Sequence, residues 1–130
     1  MGSLARTSVF PLATLHETSE AQISIDIVER DWKVFRTLLP FWQERYCRKA
    51  IQEIRTKLGD AGLDEIDRFE AIAKLSEKRH RFYWSHLTDF RRSTMIRQIR
   101  QFYTLGLIDP HELAQFSQET QEFASHEAEQ

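Results

Sequence analysis

Residues 89–123 constrain the fold more than any other stretch, because they read as two helices joined by a defined turn. Met95, Ile99 and Phe102 recur at spacings of four and three, with Ile96 and Tyr103 beside them. At about 100° per residue these five share one arc, and Arg97, Gln98, Arg100 and Gln101 fall outside it. Gly106 tolerates the positive φ that a helix C-terminus favours. Asp109-Pro110-His111-Glu112 then reads as a helix start. Asp109 can accept from a first-turn N–H, Pro110 needs no donor there, and the charge of Glu112 suits the helix dipole. Ile108 and Leu113 flank this cap as a hydrophobic staple. Leu113, Phe116 and Phe123 mark the apolar face of the second helix. The pattern predicts a helical hairpin with Ile99 and Phe102 in the core.

Upstream, residues 1–22 mix Ser, Thr, Glu, His and Pro11 without a helical period. Ile23, Ile25 and Ile27 alternate with polar residues, a short strand signal. The rival reading makes Ser24 or Asp26 a helix cap. The favoured expectation is an extended arm over 1–25 and a helix from about Glu29. Trp32, Phe35, Leu38 and Leu39 then form a helical stripe that meets Pro40. Proline removes a backbone donor and disfavours helical geometry just before it. A break or kink is therefore expected at 38–40, with a second segment starting at Pro40. That segment carries Phe41, Trp42, Tyr46, Cys47, Ala50, Ile51, Ile54 and Leu58 on one broad face, and Gly59-Asp60-Ala61-Gly62 ends it. Leu63, Ile66, Phe69, Ile72 and Leu75 mark the stripe of the next helix. Beyond Leu75 the period blurs, and 81–88 reads equally as continuing helix or as a basic, aromatic loop.

Only four Gly and three Pro occur in 130 residues, too few for a chain dominated by turns. Length allows one domain with a core that needs no disulfide or metal. Cys47 is single, so no intramolecular disulfide can form, which fits a reducing cytoplasm. No apolar run approaches the roughly 18 residues of a membrane span, and the N-terminus lacks the apolar stretch of a signal peptide.

Charge is uneven. From 74 to 100, eight cations stand against Glu77 and Asp89, a net of +6. From 101 to 130 there is no Lys or Arg, and six acids give −6. Either the last helix folds against the basic one and neutralises it, or the basic segment is a binding surface. The candidate binding patch is Lys78, Arg79, Arg81, Phe82, Tyr83, Trp84, Arg91, Arg92, Arg97 and Arg100. Cations interleaved with aromatic rings suit single-stranded nucleic acid, where bases stack and phosphates pair. The overall charge of −2 gives no long-range pull toward a polyanion.

Arg81-x4-His86 and Arg79-x6-His86 match the Arg-x4–6-His pattern of HEPN ribonucleases, where His serves as acid/base and Arg stabilises the phosphorane. With 13 Arg and five His in the chain, chance alone supplies a pair or two. No metal ligands recur at helical spacing apart from His86 and Asp89. No Gly-rich phosphate loop is present, and no cofactor is implied. Cys47 lies on or beside an apolar helix face, the setting of a buried, inert thiol. The aromatics around Pro40, from Trp32 to Tyr46, are expected to fill the core at the bend.

Asp31-Trp32-Lys33-Val34-Phe35-Arg36, Trp42-Gln43-Glu44-Arg45-Tyr46, Arg91-Arg92-Ser93-Thr94-Met95-Ile96 and Gly106-Leu107-Ile108-Asp109 to Leu113 occur in that order. Together they resemble a group of short bacterial helical proteins with no assigned activity, over roughly residues 26–122. The resemblance implies a small helical protein of bacterial type and no particular reaction. Where such proteins carry a lysine-rich segment with Pro-Gly, this chain has Arg81 to His86. The turn at Gly106-Leu107-Ile108-Asp109 is also similar to short C-terminal oligomerisation modules of bacteria, which implies self-association.

The expected fold is all-α, a compact orthogonal bundle of four or five helices over 26–124, with an acidic tail at 125–130. The expected function is a non-enzymatic, cytoplasmic interaction or regulatory protein. Its partner is another protein or a second copy. Nucleic-acid binding through 78–100 is the alternative, and a HEPN-like ribonuclease is the third reading.

Overall fold

The computed structural model describes residues 25–128. The extended arm expected over 1–25 therefore lies outside the described residues, save for Ile25 itself. Within them the fold is all-α. The order is α1 (Ile25–Leu58), α2 (Glu65–Phe82), a π-helical turn (Tyr83–Leu87), α3 (Arg92–Thr104), α4 (Pro110–Leu113) and α5 (Gln118–Ala128). No strand occurs among the described residues.

Three expectations are corrected in α1. Ile25 and Ile27 are helical, so the strand reading fails there and the helix begins four residues before Glu29. Pro40 does not break the helix, which runs unbroken over 34 residues, about 51 Å at 1.5 Å per residue. A proline in a helix interior costs about 3 kcal/mol. Leu38, Leu39 and Trp42 are buried on either side of Pro40, and the ring itself faces solvent. Burial of such side chains is worth about 1.5–3 kcal/mol each and outweighs the missing hydrogen bond. Phe41, Cys47, Ile51 and Leu58, expected on a buried face, are exposed, and Cys47 is a free surface thiol.

The core is built from two separated stretches of chain. Trp32, Phe35, Leu38, Leu39 and Trp42 of α1 meet Leu87, Met95, Ile96, Ile99 and Phe102, and beyond them Leu107, Ile108, Leu113, Phe116, Phe123 and Ala124. From Gln43 to His86 no side chain is fully buried. Ile99 and Phe102 are completely buried, as their spacing predicts. Gln98 is buried too, against expectation, and its amide donates to the His86 carbonyl at 2.6 Å.

Of residues 81–88, 81–87 are helical and Thr88 is a turn. The α2 ladder widens into the π turn, which leaves carbonyls without the usual i+4 donor. Side chains take them: Thr88 Oγ1 donates to Trp84 O at 2.7 Å, Gln43 Nε2 to Leu87 O at 2.7 Å, and Gln98 to His86 O. The chain can then turn into α3 without orphaned acceptors.

Gly106 has φ +79° and ends α3 as its sequence predicts. The second helix of the expected hairpin is divided, with α4 lasting one turn and α5 starting afresh at Gln118. Asp109 and Glu112 form a reciprocal capping box on α4. Glu112 does more than favour a dipole. Arg45 binds its two oxygens at 2.8 and 3.0 Å, and the Trp42 indole donates to it at 3.1 Å. Hydrogen bonds from Arg45 above all hold the Glu112 carboxyl below its ordinary pKa, against the opposing effect of burial.

That depression has a sign. A carboxyl with a lowered folded pKa adds stability above its unfolded value, and the gain disappears as pH falls through the folded value. Unfolding free energy should therefore decline as pH drops below about 4.5, the ordinary value for Glu112. Glu112→Gln should flatten that decline and cost about 1–2 kcal/mol at neutral pH. Urea unfolding followed by tryptophan fluorescence at a series of pH values checks both.

The α5 start rests on a buried carboxyl. Asp31, in the first half of α1, is fully buried. It accepts from Ser117 N at 2.8 Å, Ser117 Oγ at 2.8 Å and Thr120 Oγ1 at 2.6 Å. Three donors at the start of α5 find their acceptor on a residue 86 or more positions earlier in the chain.

Candidate functional site

The basic segment does not form one free surface. Arg79 binds Glu53 of α1 through two hydrogen bonds, at 2.7 and 2.8 Å. Arg81 pairs with Glu77 one turn earlier at 2.9 Å. Arg91 binds Asp89 at 2.7 Å. Arg92 pairs with Glu29 at 2.7 Å and lies over the Trp32 ring at 5.0 Å. Arg100 donates to the Phe123 carbonyl at 3.2 Å and packs its guanidinium on the Phe123 ring. Arg97 is exposed on α3. Carboxylates of α1 and of neighbouring residues thus take up several of these cations, and α5 packs along α3, where Arg100 reaches it.

These pairs shift both partners. The hydrogen bond from Arg79 is the main cause of the lowered Glu53 pKa, and the one from Arg91 of the lowered Asp89 pKa. Tyr46 donates to the Arg79 carbonyl at 3.3 Å, and burial raises its phenol.

The aromatic members divide. Phe82 is half-buried and stacks on Tyr46 at 5.2 Å and against His86 at 4.4 Å. Tyr83 is half-buried beside Trp84. Trp84 is exposed, with its indole N–H 2.6 Å from His80 Nε2. Lys78, Arg79, Arg81, Phe82, Ser85 and His86 do come together around an open cleft of about 270 Å³. The π turn helps, since it brings residues five apart, such as Arg81 and His86, toward one face. Among the described residues no group of three His, Cys, Asp or Glu side chains is placed to hold a metal, and no helix is long and apolar enough to cross a membrane.

The larger anomaly lies on α2. Asp64 caps it by accepting from Asp67 N at 2.8 Å, and Arg68 ties down the preceding turn through Asp60 O and Leu63 O, at 2.8 and 2.9 Å. Arg68, Ile72, Leu75, Arg79 and Phe82 are half-buried on the inner side toward α1. Ile66 and Phe69, expected in the buried stripe, instead keep 75% and 73% of their surface exposed. The signal for this was in the spacing. Steps of three residues turn 300° each, so the series Leu63 to Leu75 drifts around the helix instead of staying on one face. Ile66, Phe69 and Ala73 fall on the outer side with His80 and Trp84. No family model matches the chain, and neither a curated protein nor a solved structure matches it.

Proposed function

We propose that this chain is a small, non-enzymatic interaction protein of the bacterial cytoplasm, and that it works by protein–protein contact through the outer face of the α1–α2 hairpin. One observation carries the reading. From Gln43 to His86 nothing is fully buried, yet Ile66 and Phe69 stand exposed one turn apart on a well-capped helix. Single exposed apolar residues are ordinary, whereas adjacent large ones on a rigid element mark contact surfaces. The resemblance of Asp31–Arg36 and Arg91–Ile96 to short bacterial helical proteins supports the source.

Nucleic-acid binding through 78–100, including its ribonuclease form, is the second reading. The cleft that gathers Lys78, Arg81 and His86 favours it. Against it, a phosphate would have to displace the carboxylates bound to Arg79, Arg81, Arg91 and Arg92.

Affinity capture from the native host, with intact protein and with Phe69→Glu, separates the two. The eluates are analysed by mass spectrometry and stained for nucleic acid. The expected result is a protein retained by the intact chain, lost with Phe69→Glu, and no nucleic acid. Equal protein recovery with both forms would overturn the first reading. A labelled oligonucleotide that binds with a log–log salt slope of about −0.7 per phosphate, and not to Lys78→Glu, would carry the second.

A further inference from the structure

The geometry points to a second copy of this chain as the occupant of that outer face, with α2 pairing antiparallel to its own equivalent across a two-fold axis. This rests on the interaction reading above and names the partner.

Charge is the reason. The half of α2 near the hairpin tip is acidic on its outer flank, with Asp67 and Glu70. The half near the π turn is basic on balance, with Lys74, Lys78 and Arg81 against Glu77, which pairs with Arg81 in the isolated chain. At 100° per residue Asp67, Glu70, Lys74, Lys78 and Arg81 lie along one side of the Ile66, Phe69, Ala73 stripe, and Glu77 falls between that flank and the stripe. In an antiparallel helix pair each flank meets the same flank of the partner, running the other way. Asp67 and Glu70 then meet Lys78 and Arg81 of the second copy, and the reverse pair forms by symmetry. A parallel pairing would set this flank against the opposite flank of the partner, and these charges would not meet one another. The apolar residues obey the same arrangement. Ile66 and Phe69 at one end meet Trp84 and His80 at the other, and the small Ala73 lies near the axis, where the two helices approach most closely. Ion pairs across such a seam select partner and direction more than they add affinity.

Light scattering with size-exclusion chromatography on the full chain, over a concentration series, should give twice 15.5 kDa. Phe69→Glu should give the monomer mass with unchanged helical circular dichroism, because the side chain is exposed in the isolated chain. Direction is read by charge exchange. Asp67→Lys with Glu70→Lys in one chain, and Lys78→Glu with Arg81→Glu in another, should each be monomeric alone. Mixed, the two should form a heterodimer, since every flank contact is then attractive. A dimer that survives Phe69→Glu, or variants that each dimerise alone, would overturn the inference. A monomeric wild type would also overturn it, whether the face is free or covered by residues 1–24. In that case a captured protein lost with Phe69→Glu would leave the interaction reading standing, and capture indifferent to Phe69 would remove both.

Discussion

Phe102→Ala is expected to lower the unfolding free energy by about 3–5 kcal/mol, among the largest effects of any single truncation in the chain. Phe102 is completely buried on α3, and its ring meets Trp42 edge-on at 5.9 Å. Trp42 in turn holds Phe35 at 5.8 Å and Phe116 at 6.3 Å. Trp42 is also fixed at its indole by Glu112. A ring pinned on three sides cannot collapse into the space that Phe102 leaves, so both transfer and cavity terms are lost. Urea unfolding followed by tryptophan fluorescence measures the loss. A change below about 1 kcal/mol, less than for an ordinary core truncation, would contradict the packing.

Asp31→Ala should cost a similar amount, about 3–5 kcal/mol, for an unrelated reason. The cavity is small. The damage is that Ser117 N–H, Ser117 O–H and Thr120 O–H lose their common acceptor while still buried. Each buried donor left without a partner costs about 1–3 kcal/mol. Asp31→Asn keeps one accepting oxygen and should fall between the wild type and Asp31→Ala. At roughly 4 °C of melting temperature per kcal/mol for a domain of this size, the order is resolvable by thermal unfolding. Equal melting temperatures for the Asn and Ala variants would show that the hydrogen bonds contribute nothing.

Much of this fold was legible from residue order. The arc of Met95, Ile99 and Phe102, the Gly106 stop and the Asp109-Pro110 restart are local signals, and local signals decide local structure. Asp31 was not legible. An acid between Arg30 and Trp32 reads as a surface residue, and its acceptor role depends on donors 86 positions away. The break expected at Pro40 does not occur, because propensity ignores the tertiary burial on both sides of it. Ile66 and Phe69 mislead in the opposite sense: their three-residue steps read as one buried stripe, whereas the steps drift around the helix and no side chain from Gln43 to His86 is fully buried. The basic segment was visible as composition, whereas its carboxylate partners at Glu29 and Glu53 come from a helix far upstream.

The division of the core bears on the order in which the chain assembles. Trp32 to Trp42 find their partners only after Leu87, so during synthesis the first apolar stripe must wait for the C-terminal half to emerge. Closing so long a gap with random coil costs entropy that grows with its length, by about 0.6 kcal/mol for each doubling. Helical segments form far faster than distant contacts. Once α1 and α2 lie side by side, the ends of the gap are already neighbours, and Gln43 stands within reach of the Leu87 carbonyl. The outer part of the hairpin, from Gln43 to Phe82, seals no side chain of its own and is thus the strut that brings the two halves of that core into register.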